Sequence, residues 1–260
     1  MSRERDGVPP FIAVVLAAGL GKRMNSDLPK VLHPALERPL LHHVLRHVDA
    51  LGPVRTVVVV GHRAELVRES LDGRDVRFAV QSPQLGTGHA VQVAWPEIEP
   101  ASGGGPDSET VLVLAGDMPL VRTTTLSGLL LRHARERNDV TVLSGDLPDP
   151  TGYGRVLRGA DGVFLRIVEE KDATPGERAV REVNSGVYCF QRGRLKEALR
   201  SLRTDNRQQE YYLTDTLAYL RGQGGRVGVE RAGDARELFG VNTPEQLATV
   251  ERVLREWGEG

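Results

Sequence analysis

An α/β fold is predicted, built on a Rossmann-like, mostly parallel sheet with an antiparallel portion in the second half. Three features of the chain predict it. Short apolar runs alternate with longer amphipathic stretches over the first 145 residues, the pattern of βαβ units. A glycine-containing turn follows the first apolar run directly. From about Asp146 the strands become shorter and glycine-punctuated, as antiparallel additions do.

The elements follow in order. Phe11 to Ala17 reads as a buried strand, Leu40 to Leu51 as a helix that follows Pro39 and stops at Gly52, and Val54 to Val60 as a second buried strand. Another helix and strand end near Val80, and a helix spans about Gly88 to Trp95. Pro100 to Glu109, rich in Gly, Ser and acid, reads as an exposed, mobile loop. Val111 to Leu114 is a wholly apolar strand ending at Gly116 and Asp117, followed by a helix over Thr124 to Arg137 and a strand over Val140 to Leu143.

Antiparallel strands are expected at Arg155 to Leu157, Val163 to Val168 and Val183 to Phe190, then helices at Leu195 to Leu202 and Tyr211 to Arg221. Thr243 to Trp257 closes the chain as a helix, with Thr243 as N-cap and Pro244 at its first position. No internal repeat is visible, and no hexapeptide period that would mark a β-helix. The chain is read as a single domain over 1–260, with one half over about 11–145, a second over about 146–258, and a flexible tail at 1–10.

Lys and Arg number 34 against 35 Asp and Glu, so no net positive field exists to collect nucleic acid or an anionic membrane. The expected partners are small molecules, and an anionic ligand has to be held by locally placed groups. No secretory signal or membrane-spanning run is apparent. The single Cys189, inside an apolar run, reads as a buried small hydrophobe and fits a reducing cytoplasm. Nothing in the sequence specifies an oligomeric state.

Leu16 to Met24 reads LAAGLGKRM, and glycines after a buried strand let the backbone pass close to a ligand with its N–H groups free, which suits phosphate. A Walker loop needs a longer glycine spacing and Ser or Thr after its lysine, whereas Arg23 follows Lys22. A dinucleotide fingerprint has a third glycine where Met24 stands and an acid at the end of the second strand, which is missing here. A plain tight turn at Gly19 and Gly21 is the simpler alternative. Lys22, Arg23 and Lys30 lie in the loop that follows; they are either a solvated basic segment or groups that stabilise charge on a phosphoryl group. Asp117, emerging at the same sheet edge, suits a magnesium ligand, although on this motif alone a helix N-cap or turn residue is slightly favoured.

Taken together, LAAGLGKRM, SDLPKVLHP, QLGTGHA, GDMPL, DPTGYGRV, VEEKDAT, EVNSGVY, QEYYLTD and GVNTPEQL resemble, in order, the N-acetylglucosamine-1-phosphate uridylyltransferase family over roughly Ile12 to Val250. The resemblance implies a nucleotidyltransferase that joins UTP to N-acetylglucosamine 1-phosphate on Mg2+, with a nucleotide-binding first half and a sugar-binding second half. It places Leu16, Ala17, Ala18, Gly19 and Gly116 at the nucleotide and Gln81, Gly86 and Thr87 at the uracil. Arg23 and Lys30 match the phosphate-binding cations, Asp117 and Asn242 the magnesium ligands, and Gly154, Glu169, Asn184 and Thr214 the sugar site.

Two departures accompany the resemblance. The β-helix with which bifunctional members transfer an acetyl group is missing from these 260 residues, so no acetyl transfer is expected of them. Ala115 stands where many relatives carry a bulkier residue, which leaves dTTP open beside UTP. Glucose 1-phosphate as acceptor, an alcohol phosphate with CTP, and a non-catalytic nucleotide-sugar sensor are the other readings. His43 and His47 share a helical face without an acid or third ligand, and His89 reads as a packing residue, so no histidine is assigned chemistry.

Overall fold

The computed structural model describes residues 7–99 and 109–258, the side chain of Lys22 excepted. Residues 100–108 of the expected loop and the first six residues of the expected tail lie outside the described residues.

The apolar runs form the strands that periodicity predicts. β1 (Phe11–Ala17) is followed by a two-stranded hairpin, β2 (Pro34–Ala35) and β3 (Arg38–Pro39), which the sequence reading passes over, and then by α1 (Leu40–Ala50). β4 (Arg55–Val60), α2 (Ala64–Ser70), β5 (Arg77–Val80), α3 (Thr87–Ile98), β6 (Thr110–Ala115), α4 (Thr123–Glu136) and β7 (Val140–Asp146) continue the alternation. β8 (Arg155–Arg158), β9 (Phe164–Val168), the short α5 (Pro175–Arg178), β10 (Glu182–Gln191), α6 (Arg192–Ser201), α7 (Asp215–Gly222), β11 (Val227–Arg231) and α8 (Pro244–Glu256) complete the chain.

One sheet runs in the order β11-β7-β10-β6-β1-β4-β5, with β8 pairing β10 and β9 pairing β8. β1 is parallel to both β4 and β6, and β11 is parallel to β7. β10 is antiparallel to its neighbours β6, β7 and β8. The fold class is therefore as predicted, but one antiparallel strand is not a peripheral addition: β10 lies in the middle of the sheet. Eight of its ten residues are buried, the polar Glu182, Asn184 and Ser185 among them, and only Val187 to Phe190 is an unbroken apolar run. β11 escapes sequence reading because Gly228, Glu230 and Arg231 break its apolar pattern.

Alternation along β1 sends Ala13 and Val15 to one face and Ile12 and Val14 to the other. Leu41, Val44 and Leu45 of α1 with Leu126 and Leu130 of α4 cover the first face. Val91 and Ala94 of α3, Leu195 and Leu199 of α6 and Leu217 of α7 cover the second. Helices on both faces bring the turns after the parallel strands β1, β4, β5 and β6 to one edge of the sheet, where such folds bind ligands. A third cluster seats Val250, Val253 and Leu254 of α8 against Met24, Ala35 and Leu40. Thr243 caps α8 by accepting a hydrogen bond from the Gln246 amide, with Pro244 in its first turn. That packing carries the turn at Gly240–Asn242 back to the end of β6.

Candidate active site

β1 and β6 run in register to Leu16 opposite Ala115, and the Gly116 amide donates to the Leu16 carbonyl at 2.9 Å. The two strand ends form a ridge between two cavities. One, of about 390 Å³, is lined by Ala18, Gly19, Lys30, Gln81, Gly86 and Glu210, among others. The other, of about 340 Å³, is lined by Arg23, Gly154, Glu169, Asn184, Thr214 and Asn242, among others. Leu16, Thr87, Ala115 and Asp117 line both.

The turn after β1 has a steric reason for its second glycine. Gly21 has φ +61°, and a Cβ there would lie 2.9 Å from Lys30 Cβ. A side chain at this position would therefore be strained twice, by the left-handed backbone and by contact with Lys30. Pro29 precedes a short 3₁₀ turn at Lys30–Leu32, in which Val31 and Leu32 are buried and anchor the Lys30 backbone. Arg23, by contrast, is exposed on the rim.

The Lys30 ammonium donates to Asp117 Oδ2 and, at 2.9 Å, to Asn242 Oδ1. Asp117 comes from the end of β6, and its carbonyl accepts the Val241 amide at 2.9 Å, which pins the turn carrying Asn242. Gln246 Oε1 accepts the Asn242 amide at 2.7 Å. A carboxylate and an amide oxygen from distant segments thus converge on one cation. Two hard oxygen donors suit an ion of the magnesium type, which takes oxygen ligands and usually keeps several waters.

On the larger cavity's side, the Gln81 side-chain amide donates to the Gly86 carbonyl at 2.9 Å. His89 Nδ1 lies 3.3 Å from the same amide nitrogen, and its ring packs at a tilt against Tyr211. Gly86 has φ +98°, and a Cβ there would stand 2.7 Å from the Tyr211 carbonyl; at Gly88 it would meet Leu202 and Tyr211. The glycines of QLGTGHA therefore exist to let residues 85–88 lie flush on the chain at 210–213. Tyr211 to Arg221 was expected to be helical, but helix α7 begins only at Asp215. The Tyr211 amide and carbonyl are committed to Leu85 and Gly88 instead, which keeps Tyr211 out of the helix.

On the other side, the Thr214 hydroxyl donates to Glu169 Oε1 at 3.0 Å. Burial pushes the Glu169 carboxyl above the usual range, the negative charges of Asp215, Asp172 and Glu210 add to this, and the Thr214 hydrogen bond opposes it. A Cβ on Gly154 would come within 3.3 Å of both Glu169 oxygens, so glycine leaves that carboxylate accessible. The Asn184 amide accepts from Gly186 and donates to the Tyr188 hydroxyl at 2.7 Å. Asn184 lies at a register shift between β10 and β7, with Gly186 at φ +83°; bulges of this kind re-aim side chains beside functional clefts.

A model of the MobA-like NTP transferase domain matches residues 13–214. The chain belongs to that family. It is 48% identical over 244 residues to the bifunctional protein GlmU of Streptococcus suis, covering 94% of this chain and 52% of that protein. It is 50% identical over 250 residues to the GlmU of Streptomyces griseus, covering 95% and 51%. The chain spans about half the length of the curated relatives it matches. Among solved structures, a putative glucose-1-phosphate thymidylyltransferase from Bacillus anthracis, in complex with a sucrose, superposes with a TM-score of 0.74 over 94% of this chain and 95% of that one. At 15% identity, this likeness speaks for the fold alone.

Of the residues singled out in this NTP transferase domain, Leu16, Ala18, Gly19, Arg23, Lys30, Gln81, Gly86, Thr87, Gly154, Glu169, Asn184, Thr214, Asp117 and Asn242 line one or both cavities. Ala17 and Gly116 do not: Ala17 is buried in the core, and Gly116 lies beneath the ridge against Leu41. Sequence reading misses Glu210, Tyr153 and Tyr188, which also face the cavities. Tyr188 falls inside an apolar run and has the signature of a core residue, so only its hydrogen bond to Asn184 reveals it.

Proposed function

We propose that the chain is a Mg2+-dependent sugar-1-phosphate nucleotidyltransferase of the cytoplasm that converts UTP and N-acetylglucosamine 1-phosphate to UDP-N-acetylglucosamine and pyrophosphate. The observation that carries this is the placing of Asp117, Asn242 and Lys30 on the ridge between two cavities, with Arg23 at the rim. One cavity has the amide of Gln81 and the backbone of Gly86 for a base; a side-chain amide offers both donor and acceptor, which a uracil edge requires. The other has Glu169, Asn184 and Thr214 as acceptors and donors for sugar hydroxyls. The GlmU relatives support this choice of substrates.

A phosphate oxygen of the sugar phosphate attacks the α-phosphorus; a new P–O bond forms there as the bond to the β-phosphate breaks and pyrophosphate leaves. The attacking oxygen is already ionised, so the chain supplies no nucleophile and no base. Its task is to hold two anions in line and to offset their repulsion. Lys30, beside Asp117, counters charge where the two substrates meet, and Arg23 with the backbone amides of the glycine turn holds the departing phosphates. Asp117 and Asn242 would hold a magnesium ion, which when bound would supply Lewis-acid polarisation of phosphate oxygens.

Pyrophosphate release, measured over a panel of nucleoside triphosphates and sugar phosphates with and without Mg2+, tests the proposal. The expected result is turnover with UTP and N-acetylglucosamine 1-phosphate, lost without Mg2+ and in Asp117→Ala. A preference for dTTP with glucose 1-phosphate would reassign the substrates. Binding of UDP-N-acetylglucosamine with no turnover under any condition would make the chain a sensor.

A further inference from the structure

Resting on that reading, we infer that Thr87 is a positioning residue for the sugar subsite, and that through it occupation of the nucleotide cavity organises the sugar cavity. Thr87 opens α3 and lines both cavities. Its hydroxyl accepts the Leu213 amide at 3.1 Å. Leu213 and Thr214 are walls of the sugar-side cavity, and Thr214 holds Glu169. The hydroxyl is therefore used as a bracket on the sugar side, although its place in the chain is beside the base.

The bracket belongs to a longer strap. Residues 206–214 are tied on one side to the segment at 85–88: the Tyr211 amide donates to Leu85, the Gly88 amide donates to Tyr211, and the Leu213 amide donates to Thr87. On the other side they are tied to the segment after β9. The Arg207 amide and Tyr212 hydroxyl donate to Asp172, and the Thr214 hydroxyl donates to Glu169. Gly86 is in turn held by the Gln81 amide. A ligand that fixes Gln81 and Gly86 thus acts on a continuous path of hydrogen bonds: Gly86 and Thr87, Leu213 and Thr214, then Glu169. Close packing at Gly86 and Gly88 leaves no slack in which the strap could move independently of α3.

Coupling of this kind is reciprocal: each ligand tightens the other by the same factor, typically about 5- to 150-fold. The test is calorimetric titration with Mg2+ present, using α,β-methylene-UTP, whose α–β bridge cannot be cleaved, and N-acetylglucosamine 1-phosphate. Each is titrated alone and against a saturating amount of the other, in the wild type, Thr87→Ser and Thr87→Val. Wild type and Thr87→Ser should show equal mutual tightening of at least about fivefold. In Thr87→Val, which keeps the shape and loses the acceptor, the coupling factor should fall toward one, whatever the variant's own affinity for the analogue.

A second measurement needs no variant: the analogue alone should slow amide hydrogen exchange across residues 210–214 of the wild type. A Thr87→Val protein with full coupling, or unchanged exchange at 210–214, overturns the inference while leaving the proposed function standing. Failure of the wild type to bind either ligand overturns both.

Discussion

The Lys30 ammonium rests against the Asp117 carboxylate and lies 2.9 Å from the Asn242 amide oxygen, on the point to which the two proposed metal ligands converge. Both side chains of the ion pair are about seven-eighths buried, at 14% and 13% exposure. An ammonium and a divalent ion cannot share that point, so on the proposed function the lysine competes with the metal for it. At an effective dielectric of about 20, one unit charge at about 4 Å is worth about 4 kcal/mol before screening, which leaves room for a tenfold effect. Lys30→Met should therefore bind Mn2+ at least about tenfold more tightly than wild type without nucleotide, while turning over more slowly. Electron paramagnetic resonance of Mn2+ reads the affinity; weaker or equal binding by the variant would show that the two cations do not compete.

Arg23 differs from Lys30 in being exposed, with no role in the core. Arg23→Ala should leave the fold intact and lower turnover by about ten- to a thousandfold, the range for removing one donor aimed at developing charge. Circular dichroism and single-turnover pyrophosphate release check the two halves of this statement. Wild-type turnover in a folded variant would remove Arg23 from the machinery.

The parts of this site that were legible in the sequence are those whose cause is local. Val111 to Leu114 is apolar throughout because β6 is buried on both faces, so Asp117 had to emerge at the sheet edge. Thr243 and Pro244 mark the start of α8 by capping chemistry alone. What stayed hidden depends on partners far along the chain. Lys30 meets Asn242 across 212 residues, and no spacing rule reaches that far. Tyr211 to Leu213 has helical apolar spacing, yet the 85–88 segment claims the Tyr211 amide and carbonyl and the Leu213 amide, and the helix starts only after them. β10 reads as a buried strand from its composition, but its seat between β6 and β7 is a property of pairing.

Glu169 gives the site a pH signature. Burial raises its folded pKa above the unfolded value, so between the two values the native state holds a proton that the unfolded state has lost. Stability then falls as pH rises through that window, by the sign of the linkage relation. Glu169→Gln, which cannot ionise, should flatten the decline and melt higher than wild type above the window, while weakening sugar-phosphate binding. Melting temperatures from about pH 4 to pH 8 span the ordinary carboxylate range and the region above it. A variant with the wild-type slope would assign the pH dependence to other groups.

Gly21 ties the phosphate turn to the cation it presents. At φ +61° a residue with a Cβ is disfavoured by about 1–2 kcal/mol, and here the Cβ would also stand 2.9 Å from Lys30 Cβ. Relief requires the Lys30 backbone to move, and with it the ammonium at Asp117. Gly21→Ala should therefore lose about 1–2 kcal/mol of stability from the backbone alone, together with activity out of proportion to that loss. Gly73→Ala is the control, because φ there is also positive, at +77°, nothing lies within 4 Å of a Cβ, and the residue lines neither cavity. Chemical denaturation and turnover measured on both variants decide the point: equal activity in the two would mean that the close approach of Gly21 to Lys30 has no part in catalysis.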